Sequence, residues 1–241
     1  MKIIIKYCLL LPTILVAVPA AWAQTGRGLT APTDLEYVQR ELGHGRAWRP
    51  GTATGTPYLL PTWTQGRVLG TTGSLAHAWL KYDLAGPGRL LWRRPAGDSL
   101  ELDLVPVREF TLGDSLRGTR ATFRRYLDAR IEAPALRTVF FEVCYDAGRT
   151  ALLRHRTRTL FHNGSTPSLT GRSADAWREG GGYFLKGPDN ALRPLRLKEK
   201  EVLAALGAAH ASELAAYVAQ QRLNLTQEAD VVRLLQYHDS L

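Results

Sequence analysis

Three arginines, Arg154, Arg156 and Arg158, recur at every second position in the 241-residue chain, with Arg149 just before them. On an extended strand such a row points one way, at intervals of about 7 Å. Planar guanidinium groups so spaced suit sulfate, phosphate or carboxylate groups on a glycan, a lipid headgroup or a partner protein. The same row also serves a plainer purpose, as the charges that keep an edge strand soluble and unpaired. Trp177, in a polar and glycine-rich neighbourhood, is the aromatic residue to join Arg149, Arg154, Arg156 and Arg158 as a ligand-binding candidate.

Other chemistry has weaker footing. The six histidines are scattered at 44, 77, 155, 162, 210 and 238, without a His-Glu-x-x-His or paired cysteines, so neither a metal centre nor a cofactor is expected. His155 and His162 are near each other in sequence, one on a predicted strand and one in a predicted loop. Gly73-Ser74 lacks the following glycine of a nucleophile elbow. Glu101 and Asp103 would stand about 7 Å apart on one strand face, a separation compatible with glycoside cleavage, but that face reads as ordinary solvent surface. Gly180-Gly181-Gly182 precedes a strand rather than a helix, unlike a phosphate-cradling loop. No catalytic residue is assigned.

The elements that would position the arginines follow from periodicity. Val139, Phe141, Val143 and Tyr145 alternate with Phe140, Glu142 and Cys144. After the turn Asp146-Ala147-Gly148-Arg149 the alternation resumes through Leu152–Arg158, which predicts a hairpin, its second strand bordering solvent. Cys144 reads as a small buried hydrophobe. Further strands are predicted at 57–61 and 67–69 around a turn at Gln65-Gly66, then at 75–84, 89–94, 99–105, 107–112 and 120–128. Phe161–Gly182 reads as a long irregular loop. A hairpin across Gly187-Pro188-Asp189-Asn190 follows. The period then changes. Leu197–Leu206 predicts a helix closed by Gly207, Ser212 caps a second, and Thr226 caps a third with Val231, Val232, Leu234 and Leu235 on its apolar side.

The amino end has a different character. Lys2 and Lys6 precede the apolar run Cys8–Val18, and Ala21-Trp22-Ala23 supplies small residues at the positions that signal peptidase reads. Cleavage after Ala23 is expected, with export to the periplasm, the outer-membrane periphery or the exterior. Residues 24–56 form a leader with a capped short helix, Asp34–Leu42, and a loop. No transmembrane segment is expected after cleavage. Loss of Lys2 and Lys6 lowers the formal charge from +9 to +7, and loss of Cys8 leaves Cys144 alone, so the exported chain relies on its core and not on a disulfide. Arg149–Lys200 has eleven Lys/Arg against four Asp/Glu, which accounts for the whole remaining excess and draws attention back to the arginine row. Export makes nucleic acid an unexpected partner.

The carboxyl third resembles a module of uncharacterised exported Bacteroidetes proteins. The resemblance rests on Tyr183-Phe184-Leu185-Lys186-Gly187-Pro188-Asp189, on Leu195-Arg196-Leu197-Lys198-Glu199-Lys200 leading into Glu201-Val202-Leu203, and on the ending Thr226–His238; Val107-Arg108-Glu109-Phe110 is similar to a strand of that group. It implies architecture and address, and brings no activity.

The expectation is an α+β fold: a mainly antiparallel sheet of about seven to nine strands over 57–196, closed as a barrel or split as a sandwich, then a segment of two to three short helices over 197–241. The expected function is non-catalytic binding of an anionic or carbohydrate ligand or an envelope protein. The alternative is a hydrolase of envelope or extracellular polymers, with its catalytic groups in 161–182.

Overall fold

A computed structural model describes residues 53–114, 118–161 and 175–241, all inside one compact unit, Pro32–Leu241. The leader, the helix at Asp34–Leu42 and most of the loop behind it lie outside the described residues.

Alternating segments form the strands β1 (Thr64–Gly70), β2 (Leu75–Asp83), β3 (Arg89–Arg93), β4 (Ser99–Glu101), β5 (Val107–Asp114), β6 (Thr119–Arg124), β7 (Arg130–Ile131), β8 (Phe141–Tyr145), β9 (Ala151–Phe161), β10 (Ala176–Lys186) and β11 (Ala191–Leu195). They make one open sheet in the order β4-β3-β2-β1-β5-β6-β8-β9-β10-β11-β7, antiparallel except for the two-residue β11–β7 pair. The α+β architecture matches the expectation. The sheet has eleven strands instead of seven to nine, and it neither closes into a barrel nor splits into a sandwich.

Paired residues share a sheet face. Val68, Ala76, Phe110 and Phe123 thus lie on one side, where Phe110 and Phe123 stack at 5.1 Å within the first core. Behind β8 and β9, on the other side, Phe141, Leu153 and Phe184 build a second core with Ile131 and Leu192. The third core joins Tyr145, Leu152 and Leu185 to the helices.

Those helices are α1 (Glu199–Ala205), α2 (Ala211–Gln221) and α3 (Glu228–Ser240). A 13-residue helix is marginal alone. Burying Val231, Leu234 and Leu235 of α3 contributes roughly 5 to 9 kcal/mol before ordering costs, so packing decides that it forms. Asp239 then ties its end to the β8–β9 hairpin, accepting hydrogen bonds from the Tyr145 hydroxyl (3.0 Å), the Thr150 amide (3.2 Å) and the Thr150 hydroxyl (3.0 Å). The caps differ from expectation. His210 and Gln227 hold the N-cap positions without side-chain capping bonds, while the Thr226 hydroxyl donates backward to Asn224 at 2.7 Å.

The strand expected at 57–61 is absent, Tyr58 making only an isolated bridge to Asp83, and three strand boundaries differ for tertiary reasons. Gln65-Gly66, expected as a turn, lies inside β1: a Cβ on Gly66 would stand 2.1 Å from the Thr111 carbonyl oxygen, so glycine here permits close approach of β5. β4 stops at Glu101 because the Asp103 carboxylate accepts the Val105 amide (2.9 Å) and turns the chain before Pro106. The expected loop 161–182 gives way from Ala176 onward to β10, which pairs with β9 over eleven positions from Ala176–Phe161 to Lys186–Ala151. Glycines carry no side-chain pattern, so the sequence could not mark this strand.

Candidate functional site

β9 lies between β8 and β10, well inside the sheet, and not at the solvent border expected for it. Its arginines therefore meet partners from both neighbouring strands. Arg156 donates to Glu142 on β8 (2.5 Å) and to Glu179 on β10 (2.7 Å). Arg154 donates to Glu179 (3.1 Å), lies 3.8 Å from Glu228 of α3, and stands over the Tyr183 ring at 5.3 Å. Arg158 gives its guanidinium to the Thr56 carbonyl (2.6 Å), and Arg149 reaches the His238 carbonyl at 3.3 Å. Burial opposes the charge on Arg156, but the bonds to Glu142 and Glu179 outweigh it and raise its pKa. Arg154 and Arg156 thus form an ion-pair lattice joining β8, β9, β10 and α3, while Arg158 and Arg149 are held by backbone carbonyls.

Trp177 is likewise on a strand and not in a loop. Its amide donates to Thr54 (3.1 Å), and its half-buried side chain lies beside Gly55. Cys144 is half-buried near Glu228 and Glu142. Burial first, and then those carboxylates, push its thiol far above the usual range, as suits a structural cysteine. Glu101 ends its strand near Arg89 at 3.8 Å, and Asp103 belongs to a turn, so the two carboxylates do not share a strand face. His162 lies outside the described residues. Among the described residues no group of three or more His, Cys, Asp or Glu is placed to hold a metal ion.

The sequence did not single out a cleft where four cations, Arg108, Arg124, Arg125 and Lys186, meet two carboxylates, Asp128 and Asp146. This cleft of about 490 Å³ opens where β5 begins and β6 and β10 end, lined by Arg108, Arg124, Arg125, Tyr126, Asp146 and Lys186 among others. The chain positions them simply. The Arg125 amide extends the β5–β6 ladder by bonding the Arg108 carbonyl (3.0 Å). The Asn190 side chain holds the Asp128 carbonyl (2.8 Å), fastening the segment after β6 to the β10–β11 hairpin.

Within the cleft the cations differ in their commitments. Arg124 is bound to Glu109 (2.6 Å) and to Asp146; burial opposes its charge, and the bond to Glu109 more than offsets that. Arg125 has no such balance. Only 9% exposed, it donates to the Val105 carbonyl (2.6 Å) and the Val107 carbonyl and lies 5.0 Å from the centre of the Phe140 ring. Its Nε is buried without a hydrogen-bond partner, and no carboxylate lies within ion-pair distance among the described residues. Burial accordingly lowers its pKa, with Asp103 only partly opposing. Arg108 and Lys186 also form no ion pair among the described residues. Burial and then Asp146 push the Tyr126 phenol well above its usual range, and its neutral hydroxyl donates to Asp146 at 3.1 Å.

The only trace of this site in the sequence is the adjacent pair Arg124-Arg125, where β6 ends. Comparison with protein-family models, curated proteins and solved structures gives no match, so the cleft must be argued from its own chemistry.

Proposed function

We propose that this is an exported, non-catalytic binding protein whose ligand presents an anionic group, phosphate, sulfate or carboxylate, to the Arg108–Arg125–Lys186 cleft. Arg125 carries this reading. Its buried charge, met by two carbonyls and only in part by Asp103, costs several kcal/mol in a protein interior, and a bound anion would relieve that cost through charge-assisted bonds. Arg108 and Lys186 add two cations that form no ion pair among the described residues. The ligand so described is the anionic group of a glycan, a lipid headgroup or an envelope partner. The leader Met1–Ala23 supports a periplasmic, outer-membrane-peripheral or extracellular address.

The test is thermal unfolding of the purified protein in phosphate, sulfate or chloride at constant ionic strength. An anion that binds only the folded state stabilises it by about 2.7 kcal/mol at a hundredfold excess over Kd. Phosphate or sulfate is expected to raise Tm over chloride, and Arg108→Gln with Lys186→Gln to abolish the gain. These two positions are used because Arg125→Gln risks unfolding the strand end. No anion-specific gain in the wild type, or an equal gain in the double variant, overturns the proposal.

A further inference from the structure

A second surface, remote from Arg125 in the fold, faces away from the first core. Across β1, β2 and β3 the pairs Gln65–Trp79 and Trp79–Arg93 place these three side chains in one row, and Arg67–His77 forms the next row on the same face. Val68, Ala76 and Leu80 on the opposite face are buried, so this face looks outward. Trp79 is 48% exposed although it sits in mid-strand, where the backbone is held on both sides. Beside it a groove of about 460 Å³ is lined by His77, Trp79, Trp92, Arg93, Arg94 and Pro95. Arg94 is committed to Asp98 (2.7 Å), whereas Arg93 has no carboxylate partner among the described residues. Arg67 also lacks an ion pair there, and its Nε is buried without a hydrogen bond.

We infer that this face binds an acidic saccharide, a chain of sugar rings bearing carboxylates, with the Trp79 indole as its platform. The composition of the row decides the ligand class. A protein partner calls for a broad apolar patch with little charge at its centre, and here the Trp79 ring is bordered by Arg93 and Gln65 and separated by the Arg67–His77 row from the next exposed apolar side chain, Leu75. A sugar ring is amphipathic in the matching sense. Its C–H face lies on the electron-rich indole face, its hydroxyls exchange hydrogen bonds with Gln65 and His77, and its carboxylate takes the forked donors of Arg93. Directly paired side chains stand about 4.5–5.5 Å apart, so platform and cation both reach a single sugar unit. Because the platform is built into paired strands, little ordering cost falls on binding.

The experiment is isothermal titration of the purified protein with an oligogalacturonate, a neutral malto-oligosaccharide and a thymidine oligonucleotide. The oligogalacturonate is expected to bind best. Trp79→Ala is expected to weaken it about tenfold or more, Trp79→Phe to retain most of the affinity, and Arg93→Gln to remove the preference for the acidic over the neutral sugar. With the anion cleft disabled by Arg108→Gln and Lys186→Gln, the binding that depends on Trp79 and Arg93 is expected to remain, which keeps this site separate from that cleft. Trp79 and Arg93 are both exposed, so their variants are expected to keep the wild-type circular dichroism. The inference is overturned by no heat with oligogalacturonate at millimolar concentration, by affinity unchanged in Trp79→Ala and Arg93→Gln, by equal binding of the neutral sugar, or by tighter binding of the oligonucleotide.

Discussion

Consider adjacent replacements in β10, Gly181→Ala and Gly182→Ala, which look alike in the sequence and differ in the fold. Gly181 has a φ of +113°, and a Cβ there would lie 1.9 Å from the His155 carbonyl oxygen on β9 and 2.9 Å from its carbon. Those are backbone atoms of a paired strand, so relief requires the strands to separate by about an ångström. Backbone strain of about 1–3 kcal/mol adds to weakened neighbouring ladder bonds at about 1 kcal/mol each. The expected loss for Gly181→Ala is thus about 3–5 kcal/mol. At Gly182 a Cβ meets nothing within 4 Å. Alanine there is expected to stabilise by about 0.4–1 kcal/mol through the unfolded chain. Urea unfolding followed by circular dichroism reads both signs, and a protein of this size shifts Tm by about 2–4 °C per kcal/mol. The same displacement would draw Glu179 away from Arg154 and Arg156, so the Gly181 variant also loses part of the ion-pair lattice. If Gly181→Ala proves within about 0.5 kcal/mol of wild type, or Gly182→Ala falls as far, the β9–β10 register argued here is wrong.

Other expectations concern charge. Arg156 and Glu142 have side chains only 20% and 17% exposed, so Arg156→Met strands a carboxylate and is expected to cost about 2–3 kcal/mol in chemical denaturation. A double-mutant cycle with Glu142→Gln is expected to show at least about 1 kcal/mol of coupling, and strict additivity would refute the pairing. Burial lowers the pKa of His155 from 6.5, so the folded state resists a proton that the unfolded chain accepts. Stability is therefore complete above about pH 6.5 and declines as pH falls below it, by at most about 1.4 kcal/mol per unit from this group. His155→Gln is expected to be less pH-dependent than wild type between about pH 7 and 5; an identical pH profile would refute the assignment.

How much of this was legible depends on how far apart the cooperating residues lie. Two-residue alternation places Leu80, Phe110, Phe141 and Leu153 on strands, and the helical period of the last third places Leu214, Val218, Val231 and Leu234 on helices, because those signals need only near neighbours. The turn at Gly187–Asn190 is legible for the same reason. Which strands sit side by side is another matter. The partners of Arg156 are 14 and 23 residues away, and that of Arg158 is 102 away. Of a row that reads as free positive charge along the chain, Arg154 and Arg156 are ion-paired once β8 and β10 close on β9, and Arg158 is held by a carbonyl.

Gly180–Gly182 shows the same limit from the other side, since a strand without side chains is recognisable only by the strand that pairs with it. Arg125 shows it most sharply. In the sequence it is one of two neighbouring arginines; in the fold Arg124 takes Glu109 and Asp146, while Arg125 is buried among carbonyls. Local periodicity along the chain sets the α+β class and the places where extended chain gives way to helix. Which arginines are neutralised, and which have no carboxylate partner among the described residues, follows from the packing of the strands, because a charge acquires its partner through space.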